Sequence, residues 1–165
     1  MPTATAKTGD ILKATRVEVP KSALALQDFQ EVSFSCAFEI KVTSANKQTA
    51  EEWLRAVQEG SPAPLRWFVV GGWIAGLGLR LELRSKSDHI LGWRIMHAVP
   101  SEIVIGVEGP ALSGRQVLQV DDGSVTHTTV VHYNRAASKI LWTVAAPIHV
   151  RVIPYRLRGT AQAFV

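Results

Sequence analysis

The segment from Asn134 to Arg158 constrains the fold more than any other stretch of the chain. Apolar residues such as Ile140 and Val144 recur in it at helical spacing, which predicts a long helix with one face on a core. Pro147 lies near the middle of this helix, where a proline removes a backbone donor and clashes with the preceding turn. A kink or break is therefore predicted near Pro147, and Pro154 leaves open a division into separate short helices.

The clearest alternation of apolar and polar residues runs from Ser33 to Val42. A period of two over this length predicts a strand with one buried face. Cys36, the single cysteine, belongs to the apolar set of this strand. Because it has no partner for a disulfide, we interpret it as a small buried hydrophobic residue of a protein in a reducing compartment.

Two helices are predicted after this strand. Thr49 can cap the first of them, with acidic residues in the first turn, and Gly60 ends it. The second, from Leu65 to about Leu79, is apolar nearly all round and is interrupted by four glycines. Glycine costs a helix roughly 1 kcal/mol per residue but permits close approach of another backbone.

The region up to Asn134 then reads as antiparallel sheet. The predicted strands are Leu91 to Val99, Glu102 to Glu108, Arg115 to Val120 and Ser124 to Tyr133. Asp122-Gly123 is a strong hairpin signal, and a two-residue turn there pairs Val120 with Val125 and Leu118 with His127. A slip of one residue would place the opposite set of side chains on the inner face.

The element order predicts an α+β fold in which a curved antiparallel sheet wraps around the long C-terminal helix, with two short helices after the first strand. This order resembles the helix-grip fold of the START-like (SRPBCC, Bet v 1-type) superfamily. Three pieces resemble an actinobacterial branch of it that is known as a domain of unknown function: residues 50 to 56, Leu91-Gly92-Trp93, and Trp142 with Pro147-Ile148-His149. The resemblance implies a hydrophobic cavity beneath the C-terminal helix.

The length of 165 residues predicts one main domain, which we place at residues 33 to 165, after an N-terminal arm of residues 1 to 32 that is expected to be partly disordered. A net charge of +4 is too dispersed to indicate nucleic acid binding. The longest apolar run, Trp67 to Leu79, falls short of the roughly 20 residues of a membrane span. Without a signal peptide at Met1 to Thr8, a cytoplasmic protein is expected, and a homodimer is left open.

Histidines and aromatic residues supply the candidate site. If strand parity is unbroken, Trp93 and His97 share one face, and His127 and Tyr133 share another. Taken as inner faces, these strands predict six ligand-binding residues that line the cavity: Trp93, His97, Leu118, His127, Tyr133 and Trp142. Each histidine could equally be a hydrogen-bonded structural residue.

Two further features have competing interpretations. His149 could contact a ligand or gate the cavity, or it could satisfy carbonyls freed by Pro147. The cluster of Arg151, Arg156 and Arg158 could complement the dipole at a helix end, or bind phosphate.

No metal-ligand spacing, nucleophile elbow or phosphate-binding loop is present, so no catalytic residue, metal or cofactor is predicted. The resulting hypothesis is a binding domain for an apolar or amphipathic small molecule, such as a lipid, polyketide or terpenoid, between the sheet and the C-terminal helix. The alternatives are a cyclase-like or aromatase-like enzyme that uses the same cavity, and an interaction or oligomeric scaffold whose cavity is filled.

Overall fold

A computed structural model describes residues 12 to 84 and 86 to 165. In these residues an antiparallel sheet has the strand order β1-β2-β7-β6-β5-β4-β3. The strands are β1 Ala14–Val17, β2 Phe34–Lys41, β3 His89–Ile90, β4 Trp93–Val99, β5 Glu102–Val107, β6 Leu112–Val120 and β7 Ser124–Tyr133. The helices are α1 Lys21–Leu26, α2 Ala50–Glu59, α3 Ala63–Gly71 and α4 Ser138–Phe164, with a 3-10 turn at Ala45–Lys47 and a π-helical turn at Gly72–Gly76. This is the predicted α+β helix-grip architecture.

The C-terminal helix α4 packs against β1, β2 and α2. Its buried residues include Trp142, Ile153 and Leu157, which join the main core. The prediction that the face with Ile140 and Val144 lies on the core is wrong, because these side chains are 73% and 71% exposed. The helix passes through both Pro147 and Pro154, so the alternative of separate short helices is wrong. Each proline removes one backbone hydrogen bond at a cost of about 3 kcal/mol, and burial of one helix face over 27 residues offsets that cost.

The region from residue 12 to residue 32 carries regular structure. Strand β1 pairs with β2, so that Ala14 lies opposite Ile40. Helix α1 lies on the outer face of the sheet, where Ala23 packs with Val104 and Val117. Residues 1 to 11 of the predicted arm lie outside the described residues.

The hairpin between β6 and β7 sets which side chains face the helix. Val120 pairs with Val125 and Leu118 pairs with His127, which confirms the predicted register. Leu118 and Val125 belong to the main core, so their strand positions define the inner face of the sheet. His127 is therefore on the inner face, as the turn chemistry predicted.

Strand β4 contains an irregularity that the alternation does not reveal. Ile95 pairs with Ile105, but His97 pairs with Val104, because the register shifts between Ile95 and His97. A β-bulge of this kind inserts one residue and reverses the side chains that follow. The prediction that His97 shares the face of Trp93 is wrong: His97 lies on the outer face and contacts Glu102, at 3.2 Å between Nε2 and Oε1.

Helix α2 begins with the predicted cap. The Thr49 hydroxyl accepts from the Glu52 amide at 3.2 Å, and Glu52 Oε2 accepts from the Thr49 amide at 2.7 Å, which completes a capping box. The predicted second helix, from Leu65 to Leu79, is shorter than expected: α3 ends at Gly71 and the chain continues in the π-helical turn. The glycine-rich sequence, with its low helix propensity, permits this change of helix type.

Replacement of Gly159 by alanine should stabilise the protein by about 0.5–1 kcal/mol, because glycine in a helix interior loses the most backbone entropy on folding. Gly159 is exposed on α4, and a Cβ there would meet no atom within 4 Å. Urea unfolding of the wild type and the Gly159→Ala variant measures the difference. The control Gly92→Ala should destabilise, because Gly92 has a φ of +88° and its Cβ would lie 2.8 Å from Leu81 Cβ. Equal or reversed effects would contradict this assignment.

Candidate ligand-binding site

A cavity of about 270 Å³ lies between α4 and the segment formed by α3 and the π-helical turn. Its apolar walls are Phe68, Val69, Trp73, Leu77, Leu141, Trp142, Val144, Ala145, Ile148, Val152 and Ile153. All of these residues belong to the helices, the π-helical turn or the residue after that turn. The cavity is therefore bounded by helices, whereas the sequence placed it between the sheet and α4.

The glycines that interrupt the apolar run help to create this space. Gly72 and Gly76 both line the cavity, and a Cβ at either position would meet no atom within 4 Å. The wider π-helical turn between them places Trp73 against Trp93, with ring centroids 5.3 Å apart. Turns of this type are frequent at functional sites.

The mouth of the cavity is rich in exposed apolar side chains. Phe68 is 60% exposed, Val144 71% and Ile148 49%, although all three line the cavity. Trp67, next to Phe68 on α3, is also exposed. Such an exposed apolar set around a cavity opening is typical of a site that admits an apolar ligand.

Polar groups occur on one side of the cavity, where His149 and Arg156 line it. His149 Nε2 lies 2.9 Å from Thr129 Oγ1 on β7, and its ring is 5.5 Å from Trp142. The Thr129 contact ties α4 to the inner face of the sheet. The structure thus supports the first interpretation of His149, a place at the cavity wall. Its hydrogen-bond partner is Thr129 and not a carbonyl freed by Pro147.

A buried chain of hydrogen bonds lies on the inner face of the sheet. Gln58 Nε2 donates to Gln116 Oε1, and His127 Nε2 lies 2.9 Å from the same oxygen. Because an amide oxygen only accepts, His127 donates through Nε2, which leaves its Nδ1 as an acceptor without a partner. The chain joins α2 to strands β6 and β7.

Burial keeps both inner histidines neutral. The pKa of His127 is lowered to about 3, mainly by burial and then by repulsion from His149, when that ring is protonated, and from Arg156. Burial also lowers the pKa of His149 to about 4, with a second contribution from Arg156. At pH 7 the two imidazoles are therefore uncharged hydrogen-bonding groups.

The six residues predicted to bind a ligand are distributed over several places. Trp142 lines the helix-bounded cavity. Trp93 does not line it but contacts Trp73, which does. Leu118 is fully buried in the core, and His127 is buried in the polar chain. Tyr133 is partly buried at the end of β7, and His97 lies on the outer face.

Sequence reasoning missed Gln58 and Gln116. Gln116 could have been found, because it lies two residues before Leu118 on the predicted inner face of an otherwise apolar strand. Of the two interpretations of Arg156, the one in which it complements the dipole at the helix end is wrong: α4 continues to Phe164 and Arg156 is 3% exposed. Only packing against α2 determines that burial.

The remaining candidates for chemistry are the thiol of Cys36 and a metal site. Cys36 is buried, and burial raises its pKa to about 11, so the thiol stays protonated at neutral pH. Over residues 12–84 and 86–165, no group of three His, Cys, Asp or Glu side chains is arranged to hold a metal ion. Among the described helices, none combines the length and apolar character needed to cross a bilayer.

Comparison with known proteins adds little to this geometry. No protein-family model matches the chain, and no curated protein matches it. It is similar to CalU16 from Micromonospora echinospora, a solved structure with 12% sequence identity over 92% of this chain and 93% of that chain, at a TM-score of 0.29. A similarity this weak carries no argument, so membership of the START-like superfamily stays a prediction.

Proposed function

We propose that the protein binds an apolar or amphipathic small molecule, of the lipid, polyketide or terpenoid class, in the helix-bounded cavity. The observation that carries this proposal is the cavity of about 270 Å³ with apolar walls and two polar residues on one side. Ligand sites commonly combine apolar walls with a few polar groups that fix orientation. The size and composition of the cavity suit a ligand with an apolar body.

The affinity expected from this site is modest. Burial of roughly 200 Å² of apolar ligand surface at about 25 cal/mol per Å² contributes about 5 kcal/mol. A gain of 5 kcal/mol alone corresponds to a dissociation constant of about 0.2 mM, and the lost freedom of the ligand offsets part of it, so an apolar probe is expected to bind with a dissociation constant in the millimolar range. Polar contacts with His149 and Arg156 would make the binding tighter.

Filling the cavity tests the proposal. Gly72→Leu places a side chain where the space around the Cβ is open, and should weaken binding of the uncharged fluorescent probe 1-aminoanthracene by about tenfold or more. Fluorescence titration measures the binding. Gly71→Leu is the matched control, because Gly71 is the adjacent residue, has the same free space and does not line the cavity.

The control should bind the probe within about threefold of the wild type, since both substitutions change helix propensity alike. Absence of saturable binding to the wild type, or equal binding by both variants and the wild type, would refute this site. Native mass spectrometry of the protein purified from its own host gives a second readout, because a retained apolar ligand should be lost in Gly72→Leu and kept in Gly71→Leu.

A further inference from the structure

Arg156 is a buried cation without an acidic partner. It is 3% exposed, and in the described parts of the chain no carboxylate oxygen lies within 4 Å of its side-chain nitrogens. Burial lowers its pKa to about 10, so it keeps its charge at neutral pH. By contrast, the buried Arg115 contacts both Asp28 and Glu108. An uncompensated charge in the interior is costly, so its position next to a cavity requires an explanation.

The hydrogen bonds of Arg156 use one edge of its guanidinium group. Nε donates to Ser61 Oγ at 2.9 Å, and Nη2 donates to the Gln58 carbonyl at the end of α2. In a planar guanidinium these two nitrogens share an edge, and Nη1 occupies the opposite corner. Nη1 therefore points away from the partners on the α2 side, and it is a buried donor with no hydrogen-bond partner.

Arg156 lines the helix-bounded cavity together with His149. The ionisable groups near Arg156, His127 and His149, are kept neutral by their lowered pKa values. Arg156 consequently brings one positive charge to the wall of the cavity, and its Nη1 is an unused donor buried in that wall. A ligand that matches both features has an apolar body and an anionic group at one end.

We infer that the bound molecule is an amphipathic anion whose carboxylate, or a group of similar charge and size, accepts a hydrogen bond from Arg156 Nη1. This inference rests on the proposed function and specifies the chemical class of its ligand. Its apolar body packs against the apolar walls, which include Phe68 of α3 and Trp142 and Val144 of α4. A neutral apolar molecule would fill the same walls but leave the guanidinium unpaired.

A pair of probes that differ only in charge tests the inference. Decanoate and 1-decanol have the same chain length, and each is titrated against bound 1-aminoanthracene at pH 7.5. Decanoate should bind the wild type about tenfold or more tightly than decanol, since hydrogen bonds between charged groups are about twice as strong as neutral ones. Arg156→Met should remove this preference by weakening decanoate alone, and Arg156→Lys should retain part of it.

The matched control is Arg151→Met, which removes one positive charge from an exposed position of the same helix that does not line the cavity. It should preserve the preference for decanoate. If decanoate and decanol bind the wild type equally, or if Arg156→Met and Arg151→Met behave alike, the inference is overturned while the proposed function stands. If none of the three probes binds the wild type, both fall.

A second measurement does not depend on the folding of the variants. Decanoate labelled with ¹³C at the carboxyl carbon reports its own ionisation by NMR. Bound next to Arg156, the carboxylate should titrate with a pKa below that of free decanoate, because the guanidinium favours the charged form. A bound pKa equal to or above the free value would overturn the inference, since burial in an apolar cavity without a cation raises it.

Discussion

Replacement of Trp53 by alanine should destabilise the protein by about 3–5 kcal/mol, the range typical of a large aromatic side chain removed from a core. Trp53 is fully buried on α2, and its indole nitrogen donates to the Ala45 carbonyl at 2.9 Å. Its ring meets Phe164 edge-on, with centroids 4.8 Å apart, and so links α2 to the end of α4. Loss of the ring removes both contacts and leaves a cavity between the two helices.

Urea unfolding at pH 7.5 measures this effect. Trp67→Ala is the matched control, because Trp67 is 61% exposed on the neighbouring helix α3, and its loss should change the free energy of unfolding by less than about 0.5 kcal/mol. Trp53→Phe should fall between the two, since it keeps most of the ring but loses the hydrogen bond from the indole nitrogen to the Ala45 carbonyl. Similar destabilisation by Trp53→Ala and Trp67→Ala would show that α2 does not anchor α4 in this way.

The free energy of unfolding should fall by roughly 3–4 kcal/mol between pH 7 and pH 5 because of His127 and His149. Burial lowers the pKa of His127 to about 3 and that of His149 to about 4, from 6.5 in the unfolded chain. Below pH 6.5 the unfolded state therefore binds protons that the folded state does not, and the unfolded state is favoured. The loss of stability continues as the pH falls towards the folded pKa values.

Urea unfolding at several pH values between 7 and 5 measures this dependence. The double variant His127→Gln and His149→Gln should show a much flatter dependence, because glutamine keeps hydrogen-bonding capacity without a titrating group. Asp28 is not expected to contribute in this window: a hydrogen bond from Arg115 holds the pKa of Asp28 below its ordinary value of about 3.8, so its effect on stability is confined to lower pH. A slope shared by the wild type and the double variant would contradict the assignment.

Local patterns determined the parts of the fold that depend on neighbours in the chain. The alternation around Cys36 predicted β2, the Thr49 cap predicted the start of α2, and Asp122-Gly123 predicted the register of the β6–β7 hairpin. From that register His127 could be placed on the inner face. These features follow from the strand period, helix capping and turn chemistry, and each of these depends on only a few consecutive residues.

The candidate site was less accessible to sequence reasoning. Trp142 was expected to line a cavity, and it lines the one found beside α4. The sheet residues that were expected to line the same cavity lie elsewhere: Leu118 is buried in the core, and His127 belongs to the polar chain. Which part of α4 faces a cavity depends on where α3 and the π-helical turn pack, and no local pattern encodes that position.

By itself, the sequence determined the fold class, the order of its main strands and helices, and the inner face of the hairpin, because those depend on contacts between residues close in the chain. Only the tertiary structure decided the bulge that turns His97 outward, the continuity of α4 through Pro147 and Pro154, and the burial of Arg156. In each of these cases a local preference competes with packing between distant segments. The side chain of Arg156 is buried because Ser61 and Gln58, 95 and 98 residues earlier in the chain, supply its hydrogen-bond partners, a relation that exists only after the chain has folded.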